Sequence, residues 1–372
     1  MGMSKGKRDG LLIAGGGLSG SLAAVAMARL RPEVPLLLVE EAETFGGPDR
    51  LWLLFEDELN EEGWSLVEPL VSHRWPGYYL ALPGQSRNLK APLAAIRSSD
   101  VDALVREALR PDQYRLGTKA VAVRDNELVL LGGERIKADG VIDARGAANL
   151  SMLELGWRKS VAREFRFSDP HKVDRPVLID ATVDQHDGFR FMQCTPFSGT
   201  EMRIEDCYLS DAPEPQAEVS AARIDAYLAK RKWRPAEMMR EETTSAPVPI
   251  GGEFGSFWRV GGARVAKIGL RGGFFHPATG SPLPDAVRTA LLLAGQRDFA
   301  GAGLHDLFER EATGHWRNRE FYRSFNAALF RPGAERRKPI EELYQLDPGI
   351  ISRFNSESLG VLERMRVGKI GR

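Results

Sequence analysis

The chain has 372 residues, and its 51 lysines and arginines balance its 51 aspartates and glutamates. A chain of this length can bury a large core and is expected to fold as more than one domain. The balanced charge gives no sign of a nucleic-acid partner, so that class of function is set aside. The only cysteines are Cys194 and Cys207, which fits a reducing compartment without a disulfide framework.

Targeting and membrane-spanning segments are not expected from the sequence. Residues 1–10 are polar and basic and contain no long apolar core, so no signal peptide is predicted. No run of about 18 apolar residues occurs, so no transmembrane helix is predicted either. Contact with a membrane surface stays open, because it needs only an apolar patch.

The first predicted elements form the pattern of a dinucleotide-binding βαβ unit. A short apolar run, Leu11-Leu12-Ile13-Ala14, leads into the turn Gly15-Gly16-Gly17-Leu18-Ser19-Gly20. An alanine-rich helix is predicted over residues 21–30, and a second strand over residues 34–39 stops at Glu40. A glycine-rich turn alone can be a purely structural loop, but the complete series of elements favours dinucleotide binding.

Three glycines of this turn have separate predicted roles. Gly15 allows the tight turn off the strand, and Gly17 lets the backbone approach a pyrophosphate. Gly20 lets the helix pack closely against the sheet. All three are therefore predicted cofactor-binding residues.

The start of the helix and the acid after the second strand complete this predicted site. Leu18 and Ser19 lie where the turn enters the helix, and free N–H groups and the helix dipole favour phosphate there. Glu40 lies 20 positions after Gly20, where a carboxylate can accept hydrogen bonds from a ribose diol.

Two further segments are predicted to belong to the nucleotide-binding sheet or its surroundings. Residues 119–131 alternate around a turn and predict a hairpin. Residues 140–143 form another short apolar run that ends in Asp143, and Arg145 follows. Both Asp143 and Arg145 are interpreted either as structural or as direct contacts of the cofactor.

The middle of the chain changes to a period of about two, which is typical of strands. Residues 177–183, 189–194 and 202–208 follow this pattern, and residues 219–232 predict a helix. These segments indicate an antiparallel sheet in an inserted domain.

A glycine- and proline-rich loop follows a predicted last strand at residues 263–269 and opens a helix over residues 285–296. His276 and Gly280 lie in this loop, and such a helix start is again an anion or dipole site. Residues 303–372 are predicted to be largely helical, and their aromatic side chains are interpreted as packing between helices.

Several motifs, in order along nearly the whole chain, resemble the bacterial lycopene β-cyclases. They are the glycine turn, Leu36-Leu37-Leu38-Val39-Glu40, residues 71–76, Asp180-Ala181-Thr182-Val183-Asp184-Gln185, Gly188-Phe189-Arg190-Phe191, Ile204-Glu205-Asp206 and Phe275-His276-Pro277-Ala278-Thr279-Gly280. The resemblance implies an FAD-dependent isomerase that closes β-ionone rings at the ends of lycopene without net redox chemistry. It also implies reduced FAD, NADPH or NADH as the reductant, and a peripheral position on the inner membrane of a bacterial cytoplasm.

The predicted fold class is α/β, with a Rossmann-type FAD-binding domain of the glutathione-reductase-like flavoprotein kind, an inserted antiparallel-sheet substrate domain and a helical C-terminal region. The predicted boundaries are 8–47, 95–150 and 260–297 for the discontinuous FAD-binding domain, 48–94 and 151–259 for the substrate-binding domain, and 298–372 for the C-terminal region.

Closing such a ring needs a positioned acid between dry walls. Glu205 lies in an otherwise apolar run, and strand alternation directs Glu205 and Asp206 to opposite faces. If Glu205 faces the pocket, apolar burial is expected to keep it protonated, and the resemblance implies a catalytic role for the same glutamate. The alternative is a surface acid paired with Arg203 or Arg190.

His276 and Asp184 are the remaining candidate catalytic residues, with a structural role as the alternative for His276. Arg145 and Gly280 are further candidate cofactor contacts, and no metal site is predicted. Two other functions stay open: a flavin monooxygenase or polyprenyl reductase of the same architecture, and a non-catalytic carotenoid or lipid carrier. Oligomeric state and a mono- or bicyclic product are left open by the sequence.

Overall fold

A computed structural model describes residues 10–186, 188–260, 264–331 and 336–370. Its helices are α1 (Leu18–Leu30), α2 (Glu61–Val67), α3 (Ser98–Ala108), α4 (Ala217–Arg231), α5 (Phe254–Arg259), α6 (Leu283–Ala294), α7 (Gly301–Asn318), α8 (Glu320–Leu329), α9 (Lys338–Leu343), α10 (Pro348–Asn355) and α11 (Val361–Val367). Its strands are β1 (Leu11–Ala14), β2 (Leu36–Val39), β3 (Leu51–Phe55), β4 (Val71–Trp75), β5 (Tyr78–Leu82), β6 (Gln85–Leu89), β7 (Leu93–Arg97), β8 (Tyr114–Arg115), β9 (Ala120–Val123), β10 (Glu127–Leu130), β11 (Arg135–Lys137), β12 (Gly140–Asp143), β13 (Leu153–Phe167), β14 (Val177–Asp180), β15 (Arg190–Pro196), β16 (Glu201–Ser210), β17 (Pro235–Gly252) and β18 (Ala266–Lys267).

A parallel sheet organises the first part of the fold. Its strand order is β18-β12-β1-β2-β8, and all four neighbouring pairs are parallel. Leu11 and Ile13 of β1 face the cluster that includes α1, α3 and α6, whereas Leu12 and Ala14 face the hairpin strands β9 and β10. Because both faces are covered, β1 is apolar throughout rather than alternating.

A seven-stranded sheet forms the second part, in the order β17-β13-β16-β15-β14-β5-β6. Its strands pair antiparallel except for β14 with β5. Met202 and Ile204 of β16 pack under α4, while Cys207 and Leu209 face a cluster that contains the C-terminal helices. The two faces of this sheet therefore have different neighbours. A separate small sheet has the order β3-β7-β4, and its strands alternate along the chain with strands of the two larger sheets.

The C-terminal helices α7–α11 pack through aromatic side chains. The rings of Tyr322 and Phe325 contact Phe354 at centroid distances of 5.0 and 5.1 Å. The helical region also contacts the large sheet directly. The ring of Phe330 packs so closely on Gly156 that a Cβ there would lie 2.1 Å from it. Gly156 is thus the point at which an aromatic ring packs on the bare backbone of β13.

The predicted fold class is confirmed: a Rossmann-type parallel sheet, a largely antiparallel sheet and C-terminal helices are all present. The domain boundaries stay predictions. The last strand of the nucleotide sheet is shorter than predicted, since β18 covers only two residues, and positions 261–263 lie outside the described residues. In the described part of the chain, no helix combines the length and apolarity needed to cross a bilayer.

Candidate functional site

A cleft of about 310 Å³ lies beside the carboxyl ends of the parallel strands. It is lined by Gly15, Gly17, Leu18, Ser19, Val39, Glu40, Glu41, Gly46, Gly47, Pro48, Arg50, Trp52, Thr118, Ala120, Ala144, Arg145, Gly146, Gly269, Leu270 and Pro282. Crevices at this edge of an α/β sheet are where such folds bind ligands. Six of the eight predicted cofactor-binding residues line the cleft, whereas Gly20 and Gly280 do not.

The three predicted turn glycines differ in what surrounds them. Gly15 has a φ of +102°, and a Cβ there would lie 2.6 Å from the backbone of Ala144. A Cβ at Gly20 would lie 1.9 Å from the carbonyl oxygen of Gly15, so Gly20 allows the close contact of helix and strand. A Cβ at Gly17 would meet nothing within 4 Å, and it borders the cleft. Gly17 therefore leaves the approach to the backbone open.

The N-terminus of α1 points its free amides at this cleft. The first four N–H groups of a helix have no partner inside the helix, and they carry the positive end of its dipole. Leu18 and Ser19 begin α1 and line the cleft, and no acidic residue occupies the first turn. This end of the cleft is suited to an anion such as a pyrophosphate.

Glu40 lies at the predicted place but is partly engaged by the loops around it. One carboxylate oxygen accepts a hydrogen bond from the amide of Gly16, and the other accepts one from the amide of Ala42 at 2.8 Å. Glu40 is half-buried and lines the cleft. Its carboxylate therefore both shapes the glycine turn and remains next to the space that a ribose would occupy.

Arg145 lines the cleft while its guanidinium is held by neighbouring groups. It donates to both carboxylate oxygens of Asp143 at 2.9 Å and to the carbonyl oxygen of Ala120 at 2.8 Å. Burial opposes ionisation of Asp143, but Arg145 and Arg271 outweigh it and hold the pKa of Asp143 below its ordinary value. A structural role for the pair is thus visible, and direct contact of Arg145 with a cofactor stays a prediction.

Part of the far wall of the cleft carries no signal in the sequence. Arg50 and Thr118 line it from loops without a motif, whereas Trp52 lies in an aromatic segment that suits a pocket wall. The pair Gly46-Gly47 also lines the cleft, and two glycines soon after the acid of such a unit are a sequence signal for this wall. Gly46 has a φ of +90°, and a Cβ there would lie 2.4 Å from the carbonyl oxygen of Ser98.

The predicted acid, Glu205, lies on the other main element, the seven-stranded sheet. It is 8% exposed and faces away from Asp206, which is fully buried and bonded to Arg190 at 2.6 Å on the opposite face. The predicted alternation is therefore confirmed. On the neighbouring strands, Ala162 pairs with Glu205 on one side and with Glu242 on the other. Two carboxylates thus flank a small residue on one face of the sheet.

Arginines surround this pair of carboxylates. Arg203 Nε lies 3.5 Å from Glu205, and another guanidinium nitrogen lies 2.8 Å from Glu242. The same guanidinium is 3.7 Å from Glu164, which also receives two hydrogen bonds from Arg97 at 2.8 and 3.1 Å. One arginine therefore lies among three carboxylates on the inner face of the sheet.

The expectation of a protonated Glu205 is wrong. Burial alone would raise the pKa of Glu205, but the guanidinium groups of Arg203 and Arg158 outweigh burial and lower that pKa below its ordinary value. The pKa of Glu242 is instead raised, because burial and the neighbouring Glu205 charge together exceed the effect of Arg203. Of the two carboxylates, Glu242 is the one whose surroundings favour the proton.

The loop that contains His276 connects the acid site to the cleft. Arg158 donates to the carbonyl oxygen of Thr279 at 3.1 Å, and Pro282 a few residues later lines the cleft. His276 is 3% exposed, and its Nδ1 accepts hydrogen bonds from the amides of Ala278 and Thr279 at 3.1 and 3.0 Å. His276 thus fixes the turn that carries the contact to Arg158.

The other nitrogen of His276 faces Glu357. Its Nε2 lies 3.5 Å from Glu357 Oε1, and neither of these two buried atoms has a hydrogen-bond partner among the described residues. Burial lowers the pKa of His276 to about 4, so the imidazole is neutral at neutral pH. These contacts describe a structural histidine, and its proposed catalytic role stays a prediction.

Asp184 and Gly280 are not brought to either site. Asp184 is exposed, and its backbone carbonyl accepts a hydrogen bond from Arg190 at 2.9 Å. Gly280 has a φ of +72° and adopts the turn conformation that glycine tolerates best. In the described residues, Asp184 shares no contact with Glu205, and its catalytic role stays a prediction.

Comparison with known proteins identifies the family. The family model described as lycopene cyclase protein matches residues 10–370. This chain belongs to the lycopene cyclase family. It is 32% identical to a lycopene beta-cyclase of Pantoea ananas, covering 96% of this chain and 93% of that protein. It is 31% identical to a lycopene beta-cyclase of Pseudescherichia vulneris, covering 96% and 92%.

Solved structures with a similar fold are flavoprotein-like enzymes of low sequence identity. A geranylgeranyl bacteriochlorophyll reductase-like protein from Thermoplasma acidophilum matches with a TM-score of 0.62 and 13% identity, over 97% of this chain and 96% of that chain. A flavin-dependent brominase matches with a TM-score of 0.60 and 12% identity, over 98% of each chain. This lycopene cyclase family member therefore has the fold of flavin-dependent enzymes.

Proposed function

We propose that this chain is a lycopene β-cyclase, an isomerase that closes β-ionone rings at the ends of lycopene to give γ-carotene or β-carotene. The observation that carries the proposal is Glu205, a buried carboxyl between two guanidinium groups on a sheet face that is connected to a dinucleotide-type cleft. Family membership and identity to curated lycopene beta-cyclases support the same conclusion.

FAD is the proposed cofactor, and the residues of the cleft fit it. Gly17 leaves open space where a pyrophosphate would approach, and the amides of Leu18 and Ser19 lie at a helix start without acidic residues. Glu40 and Gly47 would hold the adenosine half, and Pro282 borders the other end of the lined space. When bound and reduced, with NADPH or NADH as the proposed reductant, FAD supplies an electron-rich ring that stabilises nearby positive charge.

The proposed reaction begins with a proton from Glu205 to the terminal double bond of lycopene. The resulting cation is attacked by an internal double bond of the same end group, which forms the six-membered ring. A ring proton is then lost, so the product has the same mass as the substrate and no electrons are transferred overall. Phe189 and Phe191, both buried beside this face, would stabilise the cation by about 0.5–2 kcal/mol each.

The arginines around Glu205 make it a strong acid once it is protonated. An alkene is a weak base, and a donor with a lowered pKa transfers its proton to a weak base more readily. Burial and the charge of Glu205 raise the pKa of Glu242 above its ordinary value, and Glu242 shares Arg203 with Glu205. Because the two carboxyls interact through one guanidinium, their titrations are coupled, and we propose that Glu242 passes a proton to Glu205.

The substrate also determines where the enzyme works. Lycopene is a long hydrocarbon and dissolves in bilayers rather than in water. We therefore propose a peripheral position on the inner membrane of a bacterial cytoplasm, with the polyene taken from the membrane surface. His276 and Asp184 keep their proposed secondary roles, and neither is needed for the proton transfer from Glu205.

The test is expression in cells that accumulate lycopene, followed by chromatography of the pigments. The wild-type chain should convert lycopene into ring-containing carotenes of unchanged mass, and Glu205→Gln should reduce conversion by about 10²–10⁴-fold, as expected for loss of a general acid. Glu201→Gln, on the same strand but half-exposed, is the matched control and should retain activity. Ring closure by Glu205→Gln at the wild-type rate would contradict the proposed acid.

The alternatives give different products in the same experiment. A flavin monooxygenase or polyprenyl reductase would change the mass of the polyene and consume one reduced nicotinamide per event. A carotenoid or lipid carrier would bind the polyene and release it unchanged. The absorption spectrum of the purified protein adds an independent readout, because bound FAD has its own visible band.

A further inference from the structure

The helix α11 exposes three large apolar side chains next to one another. Val361 is 77% exposed, Leu362 is 80% exposed and Met365 is 62% exposed. Isolated apolar side chains on a surface need no explanation, but adjacent ones that are this exposed indicate a contact surface. We call Val361, Leu362 and Met365 the α11 patch.

The orientation of the α11 patch is fixed by the opposite side of the helix. Val367 is 1% exposed and belongs to the large apolar cluster. Glu363 binds Arg353 and accepts a hydrogen bond from the amide of Gly360 at 3.0 Å, and Arg364 donates to the carbonyl oxygen of Leu359 at 3.1 Å. The α11 patch therefore faces outward because the inward side is occupied by specific contacts.

Exposed cations lie beside the α11 patch. At 100° per residue, positions 361, 362, 365 and 366 fall within less than half of the helix circumference. Arg366 on this arc is exposed, and so is Lys369 in the turn that follows α11. An arc of apolar side chains flanked by basic ones is the pattern of a helix that lies in the interface of an anionic bilayer.

We propose that α11 docks this protein on a lipid bilayer that carries anionic headgroups, with the α11 patch inserted among the acyl chains. This proposal rests on the proposed function, because a polyene substrate is held in bilayers. Arg366 and Lys369 would attract negative headgroups. A neutral apolar partner would offer these two cations no counter-charge. The surface of the molecule that meets lipid is thereby assigned to the C-terminal helix.

Apolar packing continues from α11 toward the acid. The cluster that contains Val367 also contains Phe354, Phe325 and Phe191, and it reaches Cys207. Cys207 lies two residues from Glu205, on the same face of β16. The proposed lipid-facing side is thus joined to the candidate acid site by one continuous apolar cluster.

The experiment is flotation of the purified full chain with vesicles of phosphatidylcholine alone and with vesicles that also contain phosphatidylglycerol. The triple variant Val361→Ser, Leu362→Ser and Met365→Ser should lose at least about tenfold in partitioning, because three apolar side chains no longer enter the bilayer. Arg366→Gln with Lys369→Gln should lose about fivefold per cation on the anionic vesicles only. Leu131→Ser is the matched control, since Leu131 is 71% exposed outside the α11 patch.

Several outcomes would overturn the proposal. Undiminished flotation of the triple variant, or equal flotation on neutral and anionic vesicles, would contradict it. A wild-type dimer that ignores vesicles and becomes monomeric in the triple variant would assign the α11 patch to a contact between two copies. Thermal melting confirms that each variant is folded, and Met365→Gln alone provides a milder change if the triple variant is not.

Activity separates this proposal from the proposed function. Lycopene in detergent micelles should be cyclised equally by the wild type and the triple variant, whereas lycopene in anionic vesicles should be cyclised more slowly by the variant. Absence of cyclisation by the wild type in both preparations would contradict the proposed function and leave the flotation result standing. Equal cyclisation of vesicle-held lycopene by both proteins would contradict the role of α11.

Discussion

The cleft and the acid site are built in opposite ways. The cleft is shaped largely by backbone: glycines, helix amides and small residues leave a space that only a few larger side chains, such as Trp52 and Arg145, border. The acid site is shaped by side chains that hold one another, with Arg203 among three carboxylates on an otherwise regular sheet. The cleft can bind a ligand because it leaves space for one, whereas the acid site sets the protonation of its carboxyls through neighbouring charges.

This difference determines which changes each region tolerates. Adding a single carbon at a glycine of the cleft removes space that a ligand would need. In the acid site, a change of volume is less important than the loss of one member of the charge network. The predictions below test each region by the change to which it should be most sensitive.

The largest expected effect is in the acid site. Arg203→Gln removes the guanidinium shared by Glu164, Glu205 and Glu242, and breaking a buried ion pair in this way costs about 3–5 kcal/mol. The free energy of unfolding, measured by urea titration, should fall by that amount at slightly alkaline pH. Part of it should return on acidification, because raised carboxyl pKa values favour the folded state at low pH.

Arg166→Gln is the matched control for Arg203→Gln. Arg166 pairs with Glu201 and Glu237 at the surface, and it is half exposed. Its loss should cost under about 1 kcal/mol. Equal costs for the two variants would show that the inner network is no more important for stability than a surface pair.

The loop between the two regions should give the next largest effect. The pKa of His276 is lowered from its ordinary value to about 4, so the unfolded chain binds a proton more readily than the folded one. The free energy of unfolding should therefore be highest above the ordinary histidine pKa of 6.5. It should fall by about 2–3 kcal/mol as the pH drops from there to about 4. His276→Asn keeps an acceptor for Ala278 and Thr279 and should flatten this dependence in thermal melts. An unchanged pH profile would contradict the assignment to His276.

A pair of glycine variants tests the cleft. Gly20→Ala would place a Cβ 1.9 Å from a carbonyl oxygen, and it should destabilise the protein by about 1–3 kcal/mol. Gly17→Ala places its Cβ in open space, so it should fold normally but bind FAD more weakly. Melting temperature and FAD titration by fluorescence together separate the two effects. Normal FAD binding by Gly17→Ala would contradict the proposed position of the pyrophosphate.

The smallest expected effect is a shift in a pH profile. Glu242→Gln leaves Arg203 to Glu205 and should lower the pKa of Glu205 further. The pH optimum of ring closure should move to lower pH, with less activity at neutral pH and normal FAD binding. Glu241→Gln is the matched control, because Glu241 is exposed and bonded to Arg163 on the other face. Identical pH profiles for both variants would exclude a role for Glu242.

The sequence predicted the cleft far better than the acid site, and the reason is the distance between partners. The glycine turn, the helix start and Glu40 lie within a short stretch, so their spacing is sufficient to place them. The orientation of Glu205 relative to Asp206 was also predictable, since it follows from strand alternation alone. Each of these predictions depends on neighbours in sequence.

The charge of Glu205 could not be predicted from its own strand alone. Arg203 lies two residues away on β16, but the other charged neighbours come from other strands. Arg158 lies on β13 and Glu242 on β17, and only the register of the sheet brings both to Glu205. Burial was inferred correctly, but burial without the guanidinium groups gives the wrong direction for the pKa. Strand pairing is equally hard to predict from neighbours in sequence. β4 and β5 follow each other closely, yet β4 pairs with β7, and β5 pairs with β6 and β14.

The cleft is lined by residues from three stretches that are far apart in the chain: 15–52, 118–146 and 269–282. A molecule that fills it touches all three and favours the state in which they are together. With FAD as the proposed ligand, the supply of riboflavin is expected to affect how much folded protein a cell accumulates, as well as how much of it is loaded.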